Sequence, residues 1–428
     1  MNRKKLLLKN GRVIDPSHRM DGAFDLLIEG EKITRIGSGL KAAGAEILDL
    51  SRLVVAPGFV DMHVHLREPG REEAETIRTG TLAAAAGGFT AVACMPNTSP
   101  VHDNVDITQF ILHKAKTGAA IAVLPIAAIT ENQQGEQLTE MRALKEAGVV
   151  AFSDDGKPVA DSRLMRLALE QARALDLPVI DHCEDPTLFK GGAMNEGSRS
   201  VKLRLRGIPA AAEEIMVFRN IALAKLTGGR VHMAHLSTAG SMDLMRRAKQ
   251  EGLNVTAEVT PHHFTLTDEA VSRSNTNTKM NPPLRSAEDV RAVLAAIADG
   301  TVDAVASDHA PHLADQKLVA YDKAAFGILG LETSVSLGLD RLVNSGLIPL
   351  SRFVELYSLR PARILGIERG IQEGAEATLT VFHPSRKITV NASKFKSKSR
   401  NTPFDGWTLR GCPMATIYKG DIVWRRSK

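Results

Sequence analysis

Aromatic residues, cysteines and long apolar runs are scarce in this chain, and each scarcity excludes a class of protein. Phe, Trp and Tyr together make up 4% of the residues, so a core must be built from Ala, Val, Leu and Ile. Cys94, Cys183 and Cys412 lack C-x-x-C spacing, which argues against a disulfide framework or a thiolate zinc site and is typical of a reducing cytoplasm. No stretch approaches the length of a membrane span, and the three leucines near the start are too few for a signal peptide. We therefore expect a cytoplasmic globular protein.

Positive charge is in slight excess but is mostly spread along the chain. The net charge is +5, and one dense basic run, KFKSKSR, occupies positions 394–400. Such a run either contacts a polyanion or forms a solvated loop, and its shortness favours the loop. We expect neither a nucleic-acid partner nor a membrane partner.

Short apolar runs alternate with amphipathic helical patterns through the middle of the chain. Parallel strands need crossover helices, so eight such units predict a closed (β/α)8 barrel of the TIM type. The clearest helices are predicted at 161–176 and 209–227. A doubly wound open sheet is the alternative, although no G-x-G-x-x-G follows the first strand. The predicted strands are 54–65, 90–95, 120–126, 149–152, 178–182, 230–235, 254–259 and 302–308.

Both ends of the chain have a different pattern, with short alternating segments separated by turn residues. Asn10–Gly11 and the turn around Gly30 are typical of hairpins, and 377–382 and 415–424 are predicted strands. We predict a small β domain assembled from both termini. The predicted divisions are 1–53 and 371–428 for the β domain and 54–370 for the barrel.

Histidines and aspartates recur where the predicted barrel strands end. His63 and His65 are two residues apart on an extended segment, so their side chains point to the same side. Active sites in this fold are built at the carboxyl ends of the strands. Imidazole and carboxylate without thiolate favour zinc, and six donors are too many for one tetrahedral ion, so two metals are predicted. The strand-end candidates are His63, His65, Asp154 or Asp155, His182, His235 and Asp308.

Several motifs resemble those of the dihydroorotases, bacterial members of the amidohydrolase superfamily. The resemblance runs in consistent order over roughly residues 50–370. It implies a zinc-dependent cyclic amide hydrolase that interconverts dihydroorotate and N-carbamoyl-L-aspartate in pyrimidine biosynthesis. The motifs are PGFVDMHVHLREPG (57–70), CMPNT (94–98), AFSDDG (151–156), DHCED (181–185), HMAHLST (232–238), EVTPHHF (258–264), KMNPPLR (279–285) and SDHAPH (307–312).

The resemblance also implies how the two zinc ions are held. His63, His65 and Asp308 would bind the first ion, His182 and His235 the second, and Asp155 both. The choice of Asp155 over Asp154 rests on the resemblance, because strand parity does not settle it. Many relatives use a carbamylated lysine as the bridge. No lysine stands at that position here, and Lys157 is expected to face solvent.

The substrate carries a carboxylate, and Arg67 can enter the same mouth as His65 to bind it bidentately. Arg67 could instead pair with Glu68 or Glu72 on the surface, Asn97 and Asn281 could be turn residues, and His312 could start a helix. His262 and His263 are expected to be structural or to support the ligands. The substrate contacts implied by the resemblance are His65, Arg67, Asn97, Asn281, His312, Phe326 and Gly327.

In the implied mechanism, zinc-activated hydroxide attacks the ring carbonyl. Asp308 acts as the general base and then as the general acid. The polar loop 313–326, which includes Lys317, is predicted to be a lid. Two other functions remain open: another cyclic amidase, such as a hydantoinase or allantoinase, and a silent scaffold for aspartate transcarbamoylase. A homodimer and an active enzyme associated with that transcarbamoylase are also left open.

Overall fold

The computed structural model describes residues 4–427, which form a parallel β-barrel and a mixed β-sheet. The barrel strands and a two-stranded ribbon lie between the two groups of strands that build the mixed sheet. The strands are β1 Lys5–Asp15, β2 Met20–Glu29, β3 Lys32–Gly37, β4 Glu46–Asp49, β5 Val54–Pro57, β6 Phe59–Val64, β7 Phe89–Cys94, β8 Ala122–Ala127, β9 Ala151–Phe152, β10 Val179–Asp181, β11 Met194–Asn195, β12 Gly207–Ile208, β13 Val231–Met233, β14 Val255–Val259, β15 Ala304–Val305, β16 Leu379–Thr389, β17 Thr408–Tyr418 and β18 Asp421–Arg425.

Helices connect the barrel strands, and several of them begin at a residue whose side chain caps the first turn. Asp161 caps the helix at Ser162–Ala174 by accepting from the amides of Arg163 and Leu164, and Gly228 ends the helix at Ala211–Thr227 in the left-handed conformation. The helices are α1 Ile77–Ala86, α2 Val105–Gly118, α3 Met141–Ala147, α4 Ser162–Ala174, α5 Pro186–Phe189, α6 Ser198–Leu203, α7 Ala211–Thr227, α8 Ala239–Gln250, α9 Ala287–Asp299, α10 Ala314–Lys317, α11 Leu331–Gly338, α12 Leu350–Val354 and α13 Arg360–Ile364.

The eight parallel strands form a barrel in the order β6-β7-β8-β9-β10-β13-β14-β15. A parallel bridge between Val64 and His309 joins the first strand to the segment after the last, with the His65 amide donating to the His309 carbonyl at 2.9 Å. The predicted (β/α)8 fold is therefore confirmed. The carboxyl ends of all eight strands lie around one mouth of the barrel.

The mixed sheet draws strands from both ends of the chain, as predicted, and also takes part of the first predicted barrel strand. β5 pairs with β1 and with β16, whereas β6 pairs with β7 in the barrel. The run 54–65 is thus two strands separated by Gly58. A Cβ at Gly58 would lie 2.2 Å from Thr90 Oγ1, so a side chain at this crossing would collide with the barrel.

One predicted hairpin is confirmed and the other is wrong. Gly30 turns β2 into β3, which pair antiparallel. Asn10–Gly11 instead lies inside β1, where the pairing with β2 shifts register. Asn10 has a φ of 63°, and its amide donates to Asp25 Oδ1 at 3.0 Å. The left-handed residue therefore makes a β-bulge rather than a chain reversal.

The basic run 394–400 is only half solvated, so its interpretation as a solvated loop needs correction. Ser397 and Ser399 are buried, and Lys396, Lys398 and Arg400 between and beside them are exposed. The segment bends at residues 396–398, yet burial alternates along it from Lys396 to Arg400. It packs small hydroxyl side chains against the barrel and presents its cations to solvent.

One cluster of aromatic residues lies at the junction of the barrel and the mixed sheet. The Phe59 ring lies 5.8 Å from Phe353, 5.7 Å from Tyr357 and 5.7 Å from Phe382, centre to centre. The barrel interior is instead filled by small and aliphatic residues such as Ala91. The three cysteines are buried and unpaired. Among residues 4–427, no helix has both the length and the apolarity that a bilayer crossing requires.

Candidate metal centre

The two histidines at the end of β6 point into the mouth of the barrel. His63 directs Nε2 to 3.3 Å from Asp155 Oδ1, and His65 directs Nε2 to 3.5 Å from Asp155 Oδ2. The other ring nitrogens donate outward, His63 Nδ1 to Glu258 Oε1 and His65 Nδ1 to Asn97 Oδ1, each at 2.8 Å. A proton on Nδ1 leaves the lone pair on Nε2, so both rings present an acceptor nitrogen to the same carboxylate.

Asp155 lies at the centre of the mouth, whereas Asp154 turns away from it. Asp155 Oδ1 is 3.5 Å from both His182 Nδ1 and His235 Nε2. Asp154 accepts from the Ile129 amide at 2.7 Å and from the Thr130 amide at 3.1 Å. The structure therefore brings the second aspartate of the pair among the imidazoles and uses the first to hold a neighbouring loop.

His182 and His235 approach the same carboxylate from the opposite side. His182 follows β10 and His235 follows β13, and their facing nitrogens, His182 Nδ1 and His235 Nε2, are 3.0 Å apart. Behind His182, Nε2 lies 3.3 Å from Glu184 Oε2. Two ring nitrogens at this separation can share a hydrogen bond, or both can bind one cation.

Together these side chains form two overlapping groups of possible metal ligands. The ligand atoms lie within 4.8 Å of one another in each group, one being His63, His65 and Asp155 and the other Asp155, His182 and His235. His63 Nε2 and Asp155 Oδ1 are buried and have no hydrogen-bond partner within residues 4–427. Buried polar atoms are normally paired. A donor set of imidazole and carboxylate with unpaired central atoms fits a metal centre.

Asp308, three residues beyond the end of β15, lies beside the first group. Its Oδ1 is 3.2 Å from His65 Nε2 and 3.7 Å from His63 Nε2. Burial opposes its ionisation, but the surrounding imidazoles, led by His65, hold the pKa of Asp308 below its usual range. The carboxylate is therefore ionised at neutral pH and able to accept a proton.

Glu258 on β14 belongs to the site although the sequence analysis did not assign it a role. Its Oε1 accepts from His63, and its Oε2 lies 3.2 Å from His232 Nε2. Burial alone would raise its pKa, but His232 and His63 lower the pKa of Glu258 to about 2. An anion behind a ligating ring fixes the tautomer and the ring orientation. A glutamate inside an otherwise apolar barrel strand was the available signal.

Arg67 is buried at the rim of the mouth and has no carboxylate partner within residues 4–427. Its Nε donates to the Pro311 carbonyl at 3.1 Å. The alternative of a surface ion pair is wrong, because Glu68 pairs with Lys114 and Glu72 accepts from the Gly70 amide. Burial lowers the pKa of Arg67 to about 10.

The guanidinium of Arg67 borders a cavity of about 410 Å³ that His312 also lines. A buried cation is costly without an anion beside it. Arg67 is therefore a candidate for binding a negatively charged group at the rim of the mouth.

Asn97 and Asn281 lie behind opposite histidines rather than serving only as turn residues. Asn97 Oδ1 accepts from His65, as described above. Asn281 Nδ2 donates to Glu184 Oε2 at 2.9 Å, and its buried Oδ1 has no partner within residues 4–427. Both side chains reach the site, and Asn281 Oδ1 is left as an acceptor without a partner within residues 4–427.

The loop after the last barrel strand brings His312, Phe326 and Gly327 to the rim. His312 Nε2 donates to the Phe326 carbonyl at 2.6 Å, and burial, followed by the charge of Arg67, lowers the pKa of His312 to about 3. Gly327 has a φ of 121°, and a Cβ there would lie 2.5 Å from Ala310 Cβ. His312 is therefore neutral, and the loop closes so tightly that glycine is required at 327.

The predicted lid is partly anchored. Lys317, one of its polar residues, is buried, and its Nζ donates to the carbonyls of Ala325 at 2.8 Å and Gly327 at 3.0 Å. The next residue, Leu318, is 82% exposed. Tyr321, further along the loop, is buried again and donates to the Thr278 carbonyl at 3.1 Å, so the movement of the loop over the site stays a prediction.

His262 and His263 do not complete the groups of ligands. His263 Nε2 donates to the Pro282 carbonyl at 3.0 Å, and its Nδ1 lies 2.8 Å from Thr260 Oγ1. The His262 ring stacks on it at 4.4 Å and keeps a buried Nε2 without a partner within residues 4–427. His263 therefore holds the loop after β14 in place.

Comparison with known proteins places this architecture among cyclic amide hydrolases. A family model described as Dihydro-orotase-like matches residues 51–241. A dihydroorotase of Pelotomaculum thermopropionicum is 55% identical over 420 residues, covering 98% of each chain. A dihydroorotase of Syntrophus aciditrophicus is 51% identical over 424 residues, covering 98% of this chain and 99% of the relative.

Solved structures of related enzymes share the same fold. An L-hydantoinase (dihydropyrimidinase) from Arthrobacter aurescens superposes with a TM-score of 0.90 at 25% identity, covering 100% of this chain and 97% of the other. A dihydropyrimidinase from Brevibacillus agri superposes with a TM-score of 0.85 at 24% identity, covering 98% and 95%. The latter likeness concerns the fold alone.

Proposed function

This chain belongs to the dihydroorotase family, and from that premise we propose that the buried centre described above is where it interconverts dihydroorotate and N-carbamoyl-L-aspartate. The reaction hydrolyses one amide bond of a six-membered ring in one direction and closes that ring in the other. The residues at the mouth supply what this needs, namely ligands for a metal, a proton acceptor and an anchor for a carboxylate.

We propose that the centre holds two zinc ions. His63, His65 and Asp308 would hold one, His182 and His235 the other, and Asp155 both; the overlap of the two groups at Asp155 supports this arrangement. When bound, such a pair activates a water molecule and polarises the amide carbonyl. Lys157 is exposed, so it offers no lysine bridge at this position.

The observation that carries the proposal is the buried guanidinium of Arg67, which has no carboxylate partner within residues 4–427. Dihydroorotate has a carboxylate on its ring, and carbamoyl-aspartate has two. A guanidinium can bind a carboxylate bidentately, which both neutralises the cation and orients the ring. His312 lies beside it, and the free Oδ1 of Asn281 can accept from a ring N–H. Asn97 supports His65, while Phe326 and Gly327 form the wall of the rim.

Asp308 moves the proton in this scheme. For hydrolysis it takes a proton from the attacking water and delivers it to the ring nitrogen as the C–N bond breaks, and for ring closure it runs the same transfers backwards. Hydrolysis leaves one additional carboxylate and releases one proton to solvent. Alkaline solution therefore favours hydrolysis, and mildly acidic solution favours cyclisation.

A substrate panel separates this proposal from a hydantoinase or allantoinase. Hydantoin and allantoin lack the ring carboxylate, so they leave Arg67 without a partner. We expect turnover of dihydroorotate and little or none of hydantoin or allantoin under the same conditions. Comparable rates on all three would contradict the role given to Arg67.

Chelation tests the metal centre. Cyclisation of carbamoyl-aspartate is assayed before and after treatment with a chelator, and zinc is measured on the same samples. We expect about two zinc ions per chain and loss of activity with the metal, restored on its return. Full activity in metal-free protein would overturn the proposal.

We also propose a cellular location and an assembly for this protein. Unpaired buried cysteines are consistent with a cytoplasmic location. We propose a homodimer that can also associate with aspartate transcarbamoylase as an active enzyme rather than as a silent scaffold. Size-exclusion chromatography of each protein alone and of their mixture tests both associations.

A further inference from the structure

Segment 396–402 of the C-terminal part of the chain, which we call the strap, crosses the rim of the catalytic mouth. Ser399 Oγ donates to the Ala74 carbonyl at 2.8 Å, and Ser397 Oγ donates to Glu75 Oε2. Ala74 and Glu75 lie in the loop that carries Arg67. One end of the strap is therefore fastened to the loop after the first barrel strand.

The other end of the strap, at Asn401, is fastened to the loop after the last barrel strand. Asn401 Nδ2 donates to the Ala310 carbonyl at 3.0 Å and to the Gly327 carbonyl at 3.2 Å, and its Oδ1 accepts from the His312 amide at 3.1 Å. The Leu329 amide also donates to the Asn401 carbonyl at 2.9 Å. One buried side chain thus uses its donors and its acceptor to hold both ends of the loop.

Pro311 links the hydrogen bonds of Asn401 to Arg67, the proposed carboxylate-binding residue. Its carbonyl accepts from Arg67 Nε, and its two neighbours, Ala310 and His312, are the residues whose backbone Asn401 holds. Pro311 has no amide hydrogen with which to hold itself. The direction of its carbonyl, and with it the direction of the guanidinium, depends on Asn401.

We propose that Asn401 is a positioning residue for substrate binding, which sets the orientation of Arg67 through the backbone of residues 310–312. This rests on the function proposed for Arg67 above. Asn401 contacts none of the six proposed metal ligands, so its effect is confined to the carboxylate end of the substrate. A residue outside the barrel thereby determines how well the mouth holds its ligand.

The experiment measures KM and kcat for carbamoyl-aspartate cyclisation in zinc-loaded Asn401→Ala. We expect KM to rise about 10- to 100-fold, the scale of a misplaced binding group, with kcat changed less than about threefold. Asn401→Asp keeps the acceptor for the His312 amide but presents an anionic oxygen to two carbonyls, so its KM should rise similarly. Asn391→Ala is the matched control, because Asn391 is exposed and bonds only within its own turn.

A double variant with Arg67→Lys tests whether Asn401 acts through Arg67. If it does, KM of the double variant stays within about twofold of Arg67→Lys alone, because the effects of coupled residues are not additive. Independent, multiplying effects would overturn the proposal, as would an unchanged KM in both Asn401 variants. Loss of zinc or of the folded state in both variants would show a structural role and also overturn it. The proposed function is tested separately by two measurements. These are turnover of carbamoyl-aspartate by the wild type, and a raised KM in Arg67→Lys.

Discussion

Asp308 and Glu258 are both buried carboxylates beside histidines, yet their neighbours give them different chemistry. Asp308 faces the inward nitrogens of His65 and His63, at the place where substrate would lie. Glu258 lies behind the rings, and each of its oxygens faces one histidine nitrogen. The first can exchange a proton with a reacting group, whereas the second is committed to holding His63.

We predict that Asp308→Asn lowers the rate in both directions by at least about 10²-fold, the scale of general acid–base groups, while most of the zinc is retained. The amide keeps the size of the side chain but cannot accept the proton. Steady-state rates and metal content on the same sample measure the two effects. Asp161→Asn is the control, because an exposed helix cap tolerates asparagine. Near-normal turnover in Asp308→Asn would remove Asp308 from the mechanism.

For Glu258→Ala we predict a different result, namely weaker metal binding by about 10- to 100-fold. His63 would lose the acceptor that fixes its tautomer and ring orientation. Glu258→Gln should lose less, since an amide oxygen can still accept from His63 Nδ1. A titration of zinc against a competing chelator measures the affinities. Equal affinity in wild type and Glu258→Ala would show that His63 is held by packing alone.

At the scale of elements, His102 joins two parts of the barrel wall. Its Nδ1 donates to the Ile126 carbonyl on β8 at 2.8 Å, and its Nε2 lies 2.7 Å from Thr108 Oγ1 on α2. The ring is buried, and burial lowers the pKa of His102 from 6.5 to about 4. Only the neutral ring can donate at one nitrogen and accept at the other.

This gives a prediction for stability against pH. Between pH 6.5 and about 4 the unfolded chain binds a proton at His102 that the folded chain does not, so the free energy of unfolding falls as pH falls. The contribution is fully present above pH 6.5 and amounts to at most ~3 kcal/mol. Denaturant unfolding of chelator-treated protein at several pH values measures it. His102→Asn should flatten the slope in this window, and the exposed His113→Asn should not; equal slopes would refute the assignment.

The site residues that could be predicted from sequence are those that the secondary-structure elements place. The i, i+2 spacing of His63 and His65 and the positions of His182, His235 and Asp308 after apolar runs depend on local periodicity, which the sequence contains. The choice of Asp155 over Asp154 depends on amides at 129 and 130, and the burial of Lys317 depends on carbonyls of its own loop. Such partners are distant in sequence or are brought close by loop closure, so the periodicity of the sequence does not indicate them.

The strap illustrates the same limit. A run of lysines alternating with serines predicts an exposed segment if only charge is counted. The alternation itself is the sign of a segment with one buried face and one exposed face. That face contacts the loops at 72–75 and 310–327. These contacts are determined by the tertiary fold.

At the scale of the whole molecule, a chain poor in aromatics places a cluster of them where its two sheets meet. Phe59 begins the first barrel strand, and Phe382 lies on β16 of the mixed sheet. Phe353 and Tyr357, 4.4 Å apart ring to ring, pack between the same elements. The mixed sheet also has an apolar cluster of its own, which includes Leu26 and Ile417. Because the four rings join one face of this sheet to the barrel, the two parts should unfold together.

We therefore predict that Phe59→Ala lowers the free energy of unfolding by about 3–5 kcal/mol, the cost of a large cavity in a core. The loss should appear in one cooperative transition, seen at the same denaturant concentration by far-UV circular dichroism and by tryptophan fluorescence, with zinc saturating. Phe218→Ala is the matched control: that ring is 62% exposed, so its loss should change stability by no more than about 0.5 kcal/mol. Two separate transitions in the Phe59 variant would mean that the aromatic cluster joins two units which fold independently.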